Sequence, residues 1–391
     1  MASAKKMTSR ARVLLFAALA VGSAAACTAE TAPPTTPMPT AGTGGSGAQG
    51  GSSNPGGSGG SATSGSGGSV AAGTGGVAAS AGSGGAPGGT GGATAGTGGA
   101  PPVGSGKPIS IIAYSPYRDG QAPGAAQPTM EQVRSDLELL KPLVDGVRIY
   151  GTDGGNAFVP ALCDELGLDL YVGAWIDGLA SDGPNVMALA ALVNENHPSI
   201  KAAVVGNEVL NRTEDNGLVE TDLLAFVQMA RDNITVDVPI AVAETYPRWM
   251  EVRPNLAAAV DIMIWHTYGW WAGADIEDAA ALITSRYQDM LAGYPGKTMF
   301  LGETGWPSQF DNMSEDLTTT AVGSEANQAR YFRELAASLG PLSLPFWPFS
   351  AFDENWKATS GEGEVGAHWG IFNADRTPKQ AATELLMQLP P

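Results

Sequence analysis

Two carboxylates that directly follow short apolar segments are the strongest candidates for chemistry in this sequence. Glu208 ends the segment 205–208, and Glu303 lies in the motif Gly-Glu-Thr-Gly-Trp-Pro-Ser at 302–308. Each alone has an ordinary alternative, because an Asn-Glu pair can cap a helix and a Gly-Trp-Pro turn can simply end a strand. Together, in a region rich in the Trp and Tyr rings on which sugars stack, a proton-donating and an attacking carboxyl group favour cleavage of a glycosidic bond.

Such a pair needs a scaffold that brings the ends of distant segments together. From residue 108 onward, β-branched apolar segments alternate with amphipathic helical patterns, the first of which opens with the capping-box pair Thr129 and Gln132. Strands buried on both faces and separated by single helices predict a parallel sheet, and eight such units predict a (β/α)8 TIM barrel. A doubly wound open sheet is the alternative, but no Gly-x-Gly-x-x-Gly motif follows the first strand. The eight candidate strands are 109–114, 146–150, 168–175, 202–206, 239–243, 260–266, 298–301 and 344–349.

A TIM barrel presents its functional side chains where the strands end at the C-terminal rim. Four tryptophans at or just after strand ends are the predicted sugar platforms, namely Trp175, Trp306, Trp347 and Trp356. Trp265 lies within a strand and is expected to pack in the core. The other candidate rim residues are Tyr114, Tyr117, Arg148, Tyr150, Asp177, Asn207, Glu244, Tyr246, His266, Tyr268, Asp353, Glu354 and Lys357.

Five motifs, in order along the chain, resemble glycoside hydrolase family 17. Together they span nearly all of 107–391. This family holds β-1,3-glucanases and related glucanosyltransferases, retaining barrel enzymes in which the acid follows strand four and the nucleophile follows strand seven. The resemblance implies that a β-glucan polysaccharide or oligosaccharide is the partner and that no cofactor is needed. The motifs lie at 113–121, 147–150, 205–208, 302–308 and 352–357.

The resemblance also implies a role for each matching residue. Glu208 would be the general acid/base and Glu303 the nucleophile, with Asn207 bound to the sugar 2-hydroxyl. Arg148 and Tyr268 match positions that hydrogen-bond the nucleophile in related enzymes. Glu354 and Lys357 match a Glu-x-x-Lys pair beside the cleft, for which an ordinary ion pair at the rim is the alternative. The further predicted substrate contacts are Tyr114, Tyr150, Trp175, Trp306 and Trp356.

The segment 266–271 departs from the family pattern, with apparent extra residues after Tyr268. An aromatic loop there could bind an acceptor sugar, so transglycosylation on the same carboxylates is an alternative to hydrolysis. A second alternative is a non-catalytic, anchored glucan-binding protein. Such a protein would need only the aromatic residues, whereas this sequence also carries both carboxylates.

The predicted catalytic domain carries a strong negative charge. Residues 107–391 hold 17 basic and 38 acidic side chains, a net charge of −21, which argues against a nucleic-acid partner. The spacing of His and carboxylate residues predicts no metal site. Cys163 is the only cysteine in this range, so no disulfide is expected within it. We expect a monomer.

The N-terminal residues read as a leader followed by a tether. Residues 1–26 combine basic residues, an apolar run and small residues, which predicts an export signal, and Cys27 directly after them is typical of a lipidated lipoprotein cysteine. Residues 27–106 are rich in Pro and Thr and then in Gly, Ser and Ala, a composition that predicts a disordered linker. We therefore expect a lipoprotein of the cell envelope, at the outer membrane or cell surface, or a secreted protein if cleavage after Ala26 is ordinary.

Overall fold

The computed structural model describes residues 107–310, 321–359 and 362–389. The predicted signal at 1–26, Cys27 and the predicted linker at 27–106 lie outside these residues and stay predictions. No helix within the described ranges has both the length and the hydrophobicity that a membrane span requires.

Across the described residues, eight strands form one sheet whose order follows the chain. Each strand pairs in parallel with the next. The backbone N–H of Ala351, just after the last strand, donates to the carbonyl of Ala113 at the end of the first strand at 2.9 Å. The last strand therefore lies beside the first, and the predicted TIM barrel is confirmed. The strands are β1 (Ile109–Ala113), β2 (Val144–Ile149), β3 (Asp169–Ala174), β4 (Ile200–Asn207), β5 (Ile240–Thr245), β6 (Ile262–His266), β7 (Thr298–Thr304) and β8 (Phe346–Pro348).

Helices lie between the strands and cover the outer face of the sheet. The first one begins with the predicted capping box: the Thr129 side chain accepts from the backbone N–H of Gln132, and the Gln132 side chain accepts from the backbone N–H of Thr129 at 2.9 Å. The helices are α1 (Met130–Leu140), α2 (Val159–Leu166), α3 (Asp182–Asn194), α4 (Thr213–Asn216), α5 (Glu220–Asn233), α6 (Tyr246–Met250), α7 (Pro254–Ala259), α8 (Ile276–Gly293), α9 (Glu325–Leu339) and α10 (Gln380–Leu386).

The barrel interior is filled by side chains of mixed size. Small residues such as Ala202 and Ala241 leave room for the rings of Tyr171, Phe300 and Trp347. Phe300 and Trp347 stack with 5.3 Å between ring centroids. Trp347 is fully buried there, so its prediction as a sugar platform is wrong.

The outer layer lies between the strands and the helices. Trp265 is fully buried in this layer, with its ring edge-on to Tyr287 of α8 at 5.0 Å. Its predicted role in packing is confirmed.

The two strands that lead to the candidate carboxylates are longer than the sequence pattern predicts. β4 continues to Asn207, which pairs with Ala243 of β5, and β7 continues to Thr304, which pairs with Pro348 of β8. Polar residues at these ends interrupt the apolar pattern but not the pairing. In both cases the register shifts just before the last pair, an irregularity that re-aims the side chains at the end of a strand.

Candidate active site

Glu208 lies in a tight turn at the end of β4. Its backbone is in the left-handed region at φ +51°, and Gly206 before it has φ +80°. A Cβ atom on Gly206 would lie 2.6 Å from Cγ2 of Val209, so the turn requires glycine there. The backbone N–H of Glu208 donates to the carbonyl of Ala243 on β5 at 2.8 Å. The turn is thus fixed to the neighbouring strand at the residue that carries the carboxyl group.

Glu303 lies near the end of β7, and three donors bind its carboxylate. The Tyr150 hydroxyl donates to Oε1 and the Tyr268 hydroxyl to Oε2, both at 2.8 Å, and Nη1 of Arg148 donates to Oε1 at 3.3 Å. Burial raises the pKa of both phenols well above the usual value, and the nearby Glu303 charge adds to the shift. Both phenols therefore stay protonated and donate. Both oxygens of Glu303 thus accept hydrogen bonds from groups that can only donate or that stay protonated.

Arg148 of β2 is fully buried and connects the polar groups of the site. Its Nη2 donates to Oδ1 of Asn207 at 2.7 Å, and its Nη1 donates to the carbonyl of Gly302 at 3.2 Å. A Cβ atom on Gly302 would lie 2.1 Å from Cγ2 of Ile264 and 3.2 Å from Nη1 of Arg148, so glycine there leaves room for both side chains. Because Oδ1 of Asn207 accepts from Arg148, the amide NH2 of Asn207 is the part of that side chain left to bind a ligand.

His266, at the end of β6, contacts both carboxylates; its sequence position predicts a rim residue but no role in the site. Its Nε2 lies 2.8 Å from Nη1 of Arg148 and 3.5 Å from Oε1 of Glu303, and its Nδ1 lies 2.8 Å from Oε1 of Glu208. Arg148 can only donate, so Nε2 accepts and the ring proton lies on Nδ1, which donates to Glu208. Burial, helped by the Arg148 charge, lowers the pKa of His266 to about 3 against the opposing effect of Glu303. The imidazole is therefore neutral.

The Glu208 carboxyl group has the opposite character to that of Glu303. Burial raises the pKa of Glu208 to about 7, against the opposing effect of the Arg212 and Arg148 guanidinium groups. An oxygen of each carboxyl group and a ring nitrogen of His266 all lie within 4.8 Å of one another. A carboxyl group with a raised pKa thus lies close to one that accepts three hydrogen bonds.

Glu208, His266 and Glu303 also offer the residue types of a metal site. The hydrogen bonds of the site argue against a metal ion there. Nε2 of His266 accepts from Arg148, its Nδ1 carries a proton, and the Arg148 guanidinium places a positive charge against Glu303. This set of donors does not suit a cation.

Beyond β8, an ion pair with aromatic neighbours forms one wall near the site. Nζ of Lys357 lies 2.6 Å from Oε2 of Glu354 and 4.6 Å from the centre of the Phe349 ring. The indole N–H of Trp356 donates to Oε1 of Glu354 at 3.2 Å. The Glu-x-x-Lys residues are thus paired, and the half-buried Trp356 lies beside them.

Residues 111–370 match the model of the BtgE/BtgC glycoside hydrolase domain family. The chain belongs to this family. The resemblance to glycoside hydrolase family 17 that its motifs predicted is confirmed.

Two fungal proteins are similar in sequence to this glycoside hydrolase domain. The chain is 28% identical over 275 residues to a putative glucan endo-1,3-β-glucosidase, btgC, of Aspergillus niger, a match that covers 64% of this chain and 40% of that protein. It is 25% identical over 260 residues to a glucan 1,3-β-glucosidase of Schizosaccharomyces pombe, covering 63% of this chain and 78% of that one. The matched region thus spans about two fifths of the length of the Aspergillus relative.

A solved structure of similar fold is a glycoside hydrolase family 17 β-1,3-glucanosyltransferase from Rhizomucor miehei. It is 25% identical to this chain, with a TM-score of 0.60, and the match covers 70% of this chain and 96% of that one. The BtgE/BtgC domain of this chain and the R. miehei enzyme therefore share a barrel over nearly the whole length of the latter.

Two predicted sugar contacts of the BtgE/BtgC domain point away from the site. Tyr114 is fully buried, and its hydroxyl donates to Asp136 of α1 at 3.3 Å. Trp306 is also fully buried, and its indole N–H donates to the carbonyl of Val322 at 2.9 Å. Neither ring is accessible to a sugar, so both predictions are wrong. Position after a strand identified the residues but not the direction in which the chain turns there.

Two other predicted contacts lie at the rim. Tyr150 donates to Glu303, as described above, so it contacts a candidate catalytic carboxylate directly. Trp175 is half-buried, with the Arg212 guanidinium 4.5 Å from its ring centre. One face of Trp175 is therefore occupied by Arg212.

The aromatic loop after β6 packs against the site. Tyr268, which binds Glu303, lies edge-on to Trp369 with 5.1 Å between ring centroids. Trp271 lies 5.8 Å from the same Trp369 ring. Trp270 is buried beneath, whereas Trp271 is half-buried. This cluster connects the partly accessible Trp271 ring, through Trp369, to the Tyr268 that binds Glu303.

Proposed function

We propose that this domain is a retaining glycosidase that cleaves β-1,3-linked glucan by double displacement, with Glu208 as general acid/base and Glu303 as nucleophile. The observation that carries the proposal is the contrast between two neighbouring carboxyl groups. One oxygen of each group lies within 4.8 Å of the other, which supports the short carboxyl separation of retaining enzymes, roughly 5–5.5 Å, over the roughly 6.5–9.5 Å of inverting ones.

In the first step, Glu303 attacks the anomeric carbon and the glycosidic C–O bond breaks. Glu208 gives its proton to the departing oxygen and becomes a carboxylate. Since Oε1 of Glu208 accepts from Nδ1 of His266, the transferable proton lies on Oε2. The product of this step is a glycosyl ester of Glu303 and a free sugar hydroxyl.

In the second step, Glu208 acts as a base. It takes a proton from an incoming hydroxyl group, whose oxygen attacks the anomeric carbon and releases Glu303 as a carboxylate. His266 is a neutral hydrogen-bond partner of Glu208, and Arg148 is a cationic partner of Glu303. Neither residue gives up a proton in either step. If the incoming group is water the reaction is hydrolysis, and if it is a sugar hydroxyl the reaction is transfer.

Transfer is the second candidate activity, and the loop after β6 favours it. Half-buried Trp271 and Tyr268 lie on the nucleophile side of the site, where a ring could hold an acceptor sugar and exclude water. The similar R. miehei protein is named a glucanosyltransferase. The preference for β-1,3 linkages is supported by the names of the relatives.

Product analysis tests the reaction and separates the alternatives. The domain is mixed with laminarin, a β-1,3-glucan, and released reducing sugar is measured; Glu303→Ala is the control. Reducing sugar that depends on Glu303 supports a glycosidase, whereas binding without release favours the non-catalytic alternative. A short β-1,3-glucan oligosaccharide at high concentration then gives longer products if transfer occurs and only shorter products if it does not. Cellulose oligosaccharides test the linkage in the same assay.

We also propose that the chain is exported and anchored through lipid on Cys27, and that it is a monomer. The support is the sequence pattern of residues 1–27. Labelled fatty acid incorporated into the wild-type chain but not into Cys27→Ser would support the anchor. Secretion of unlabelled protein cleaved after Ala26 would contradict the lipid anchor. Light scattering of the domain gives its mass in solution and so tests whether it is a monomer.

A further inference from the structure

The turn that carries Glu208 adopts a conformation that its own residues do not favour. A non-glycine residue at φ +51° is uncommon, and such a conformation persists where surrounding contacts enforce it. The contacts that converge on residues 207–210 therefore bear on how Glu208 is aimed.

One set of contacts comes from β5. Glu244 is fully buried, and its Oε1 accepts the backbone N–H of Leu210 at 2.7 Å. The preceding residue, Ala243, accepts the backbone N–H of Glu208 at 2.8 Å. Two successive residues of β5 thus hold the turn at two points, Glu208 and Leu210.

A second set comes from Arg212, which is buried beside the same turn. Its Nη2 donates to the carbonyl of Asn207 at 2.8 Å and to the carbonyl of Ile176 at 2.9 Å. Its guanidinium packs over Trp175. Arg212 therefore ties the residue before Glu208 to the loop that follows β3.

We propose that Glu244 and Arg212 are positioning residues for proton transfer by Glu208, and that they act through the backbone of the turn. The inference rests on the role of Glu208 in the proposed function. Neither side chain needs to contact the sugar, since their hydrogen bonds are made to the turn and to the loop after β3.

The chemistry of Glu244 suits this task. Burial raises its pKa to about 8, with a contribution from the charge of Glu208, while the Leu210 N–H and the Arg212 and Arg253 charges oppose the shift. Glu244 is therefore neutral near pH 7. Its Oε2 is buried and has no hydrogen-bond partner within the described ranges. A neutral carboxyl group holds the turn without placing a second negative charge beside the acid.

Leaving-group dependence separates this role from a general effect on stability. Two aryl β-laminaribiosides are compared, one releasing 4-nitrophenol and the other the more acidic 2,4-dinitrophenol, which needs little help from an acid. Glu244→Leu removes the acceptor of the Leu210 N–H at similar volume. We expect kcat/KM to fall about 10- to 100-fold for the 4-nitrophenyl substrate and about 3-fold or less for the dinitrophenyl substrate.

Matched variants serve as controls. Glu244→Gln keeps an oxygen acceptor, so the ratio of the two kcat/KM values should stay within about twofold of the wild-type ratio. Asp164→Ala removes a carboxylate that accepts the backbone N–H of Ser199 at 2.9 Å, before β4 at the opposite end of the barrel. It should lower the melting temperature and leave the ratio unchanged. If Glu244→Leu does not fold, Arg212→Met loosens the same turn and should change the ratio in the same direction.

Equal losses on the two substrates, or no loss in Glu244→Leu and Arg212→Met, would overturn the inference. If the unsubstituted protein cleaves neither substrate, it is the proposed function that fails. Carbon-13 NMR titration of the Glu208 carboxyl group then tests the positioning without turnover, in the wild type and in Glu244→Leu. Arg148, Arg212, His266 and Glu303 face Glu208 in both proteins. A Glu208 pKa that falls toward the ordinary value in Glu244→Leu would therefore report a displaced Glu208, and an unchanged pKa would count against the inference.

Discussion

Glu208 and Glu303 occupy similar positions and have different environments. Each lies at or just past the end of a strand, each contacts His266 or Arg148, and their exposed fractions are nearly equal at 7% and 5%. Glu303 accepts from two phenols and a guanidinium, whereas Glu208 accepts from one neutral imidazole. Burial alone therefore does not divide the roles. The number and charge of the donors differ between the two carboxyl groups, and this difference supports their proposed roles.

The largest effect should come from removing either carboxylate, and azide distinguishes the two. Glu303→Ala should lower kcat at least ~10⁴-fold, because no covalent intermediate can form. Glu208→Ala should lose ~10²- to 10⁴-fold on a poor leaving group. Added azide should rescue Glu208→Ala by displacing Glu303, to give a β-glycosyl azide. It should rescue Glu303→Ala in place of the missing nucleophile, to give an α-glycosyl azide. NMR of the products checks this assignment, and the reverse pattern would exchange the two roles.

His266 links the two environments, so its removal should affect both. His266→Ala removes the imidazole donor of Glu208 and one of the acceptors of Arg148, and we expect kcat/KM to fall about 10²-fold. The matched control is His197→Ala, which removes an imidazole whose Nδ1 lies 2.6 Å from a carboxylate, Asp164, away from the site. That variant should keep its activity. A His266→Ala protein that is folded and as active as His197→Ala would contradict the role of this residue.

The sequence was informative about these carboxylates because their motifs are short and local. The alternation of apolar segments and helices predicts the barrel. In any such barrel the residues that follow β4 and β7 lie at the same rim. Asn207, Glu208 and Glu303 could therefore be identified from their positions. His266 was recognised as a rim residue but received no role, because its role depends on Arg148 and on three strands that meet only in the fold.

The errors concern direction. Tyr114 and Trp306 follow strand ends, as predicted, whereas Trp347 lies in the middle of β8, and all three rings are buried. Whether a ring faces the cleft depends on the pleat of the strand and on the turn beyond it, and the register shift within β7 changes both. A pattern of residue types carries little information on these local turns.

The contrast in acidity should appear in the pH dependence of the reaction. Because burial raises the pKa of Glu208 to about 7, the acid is protonated below that pH and loses its proton above it. We expect kcat/KM for a 4-nitrophenyl β-laminaribioside to fall about tenfold per pH unit above pH 7. The dinitrophenyl substrate should show a weaker fall, since it depends less on the acid. A fall that begins near pH 4.5, the ordinary value for a glutamic acid, would show that Glu208 is not buried as described.

The smallest effects should come from single donors to Glu303. Tyr150→Phe and Tyr268→Phe each remove one hydrogen bond to a different oxygen of the same carboxylate, and each should lower kcat about 3- to 10-fold. In each single variant the other phenol and Arg148 still bind the carboxylate. The double variant removes both phenols, and because the two share one partner, its loss should exceed the product of the single losses.

The control for these two variants is Tyr114→Phe. It removes a buried phenol that donates to another carboxylate, Asp136, on the outer side of β1, and should change stability without changing kcat. Steady-state kinetics with laminarin oligosaccharides, alongside melting temperatures, measures all four proteins. Equal kcat values in Tyr114→Phe and Tyr268→Phe would mean that donors to Glu303 do not set its role, and the difference between the two carboxylates would then have to come from Glu208 alone.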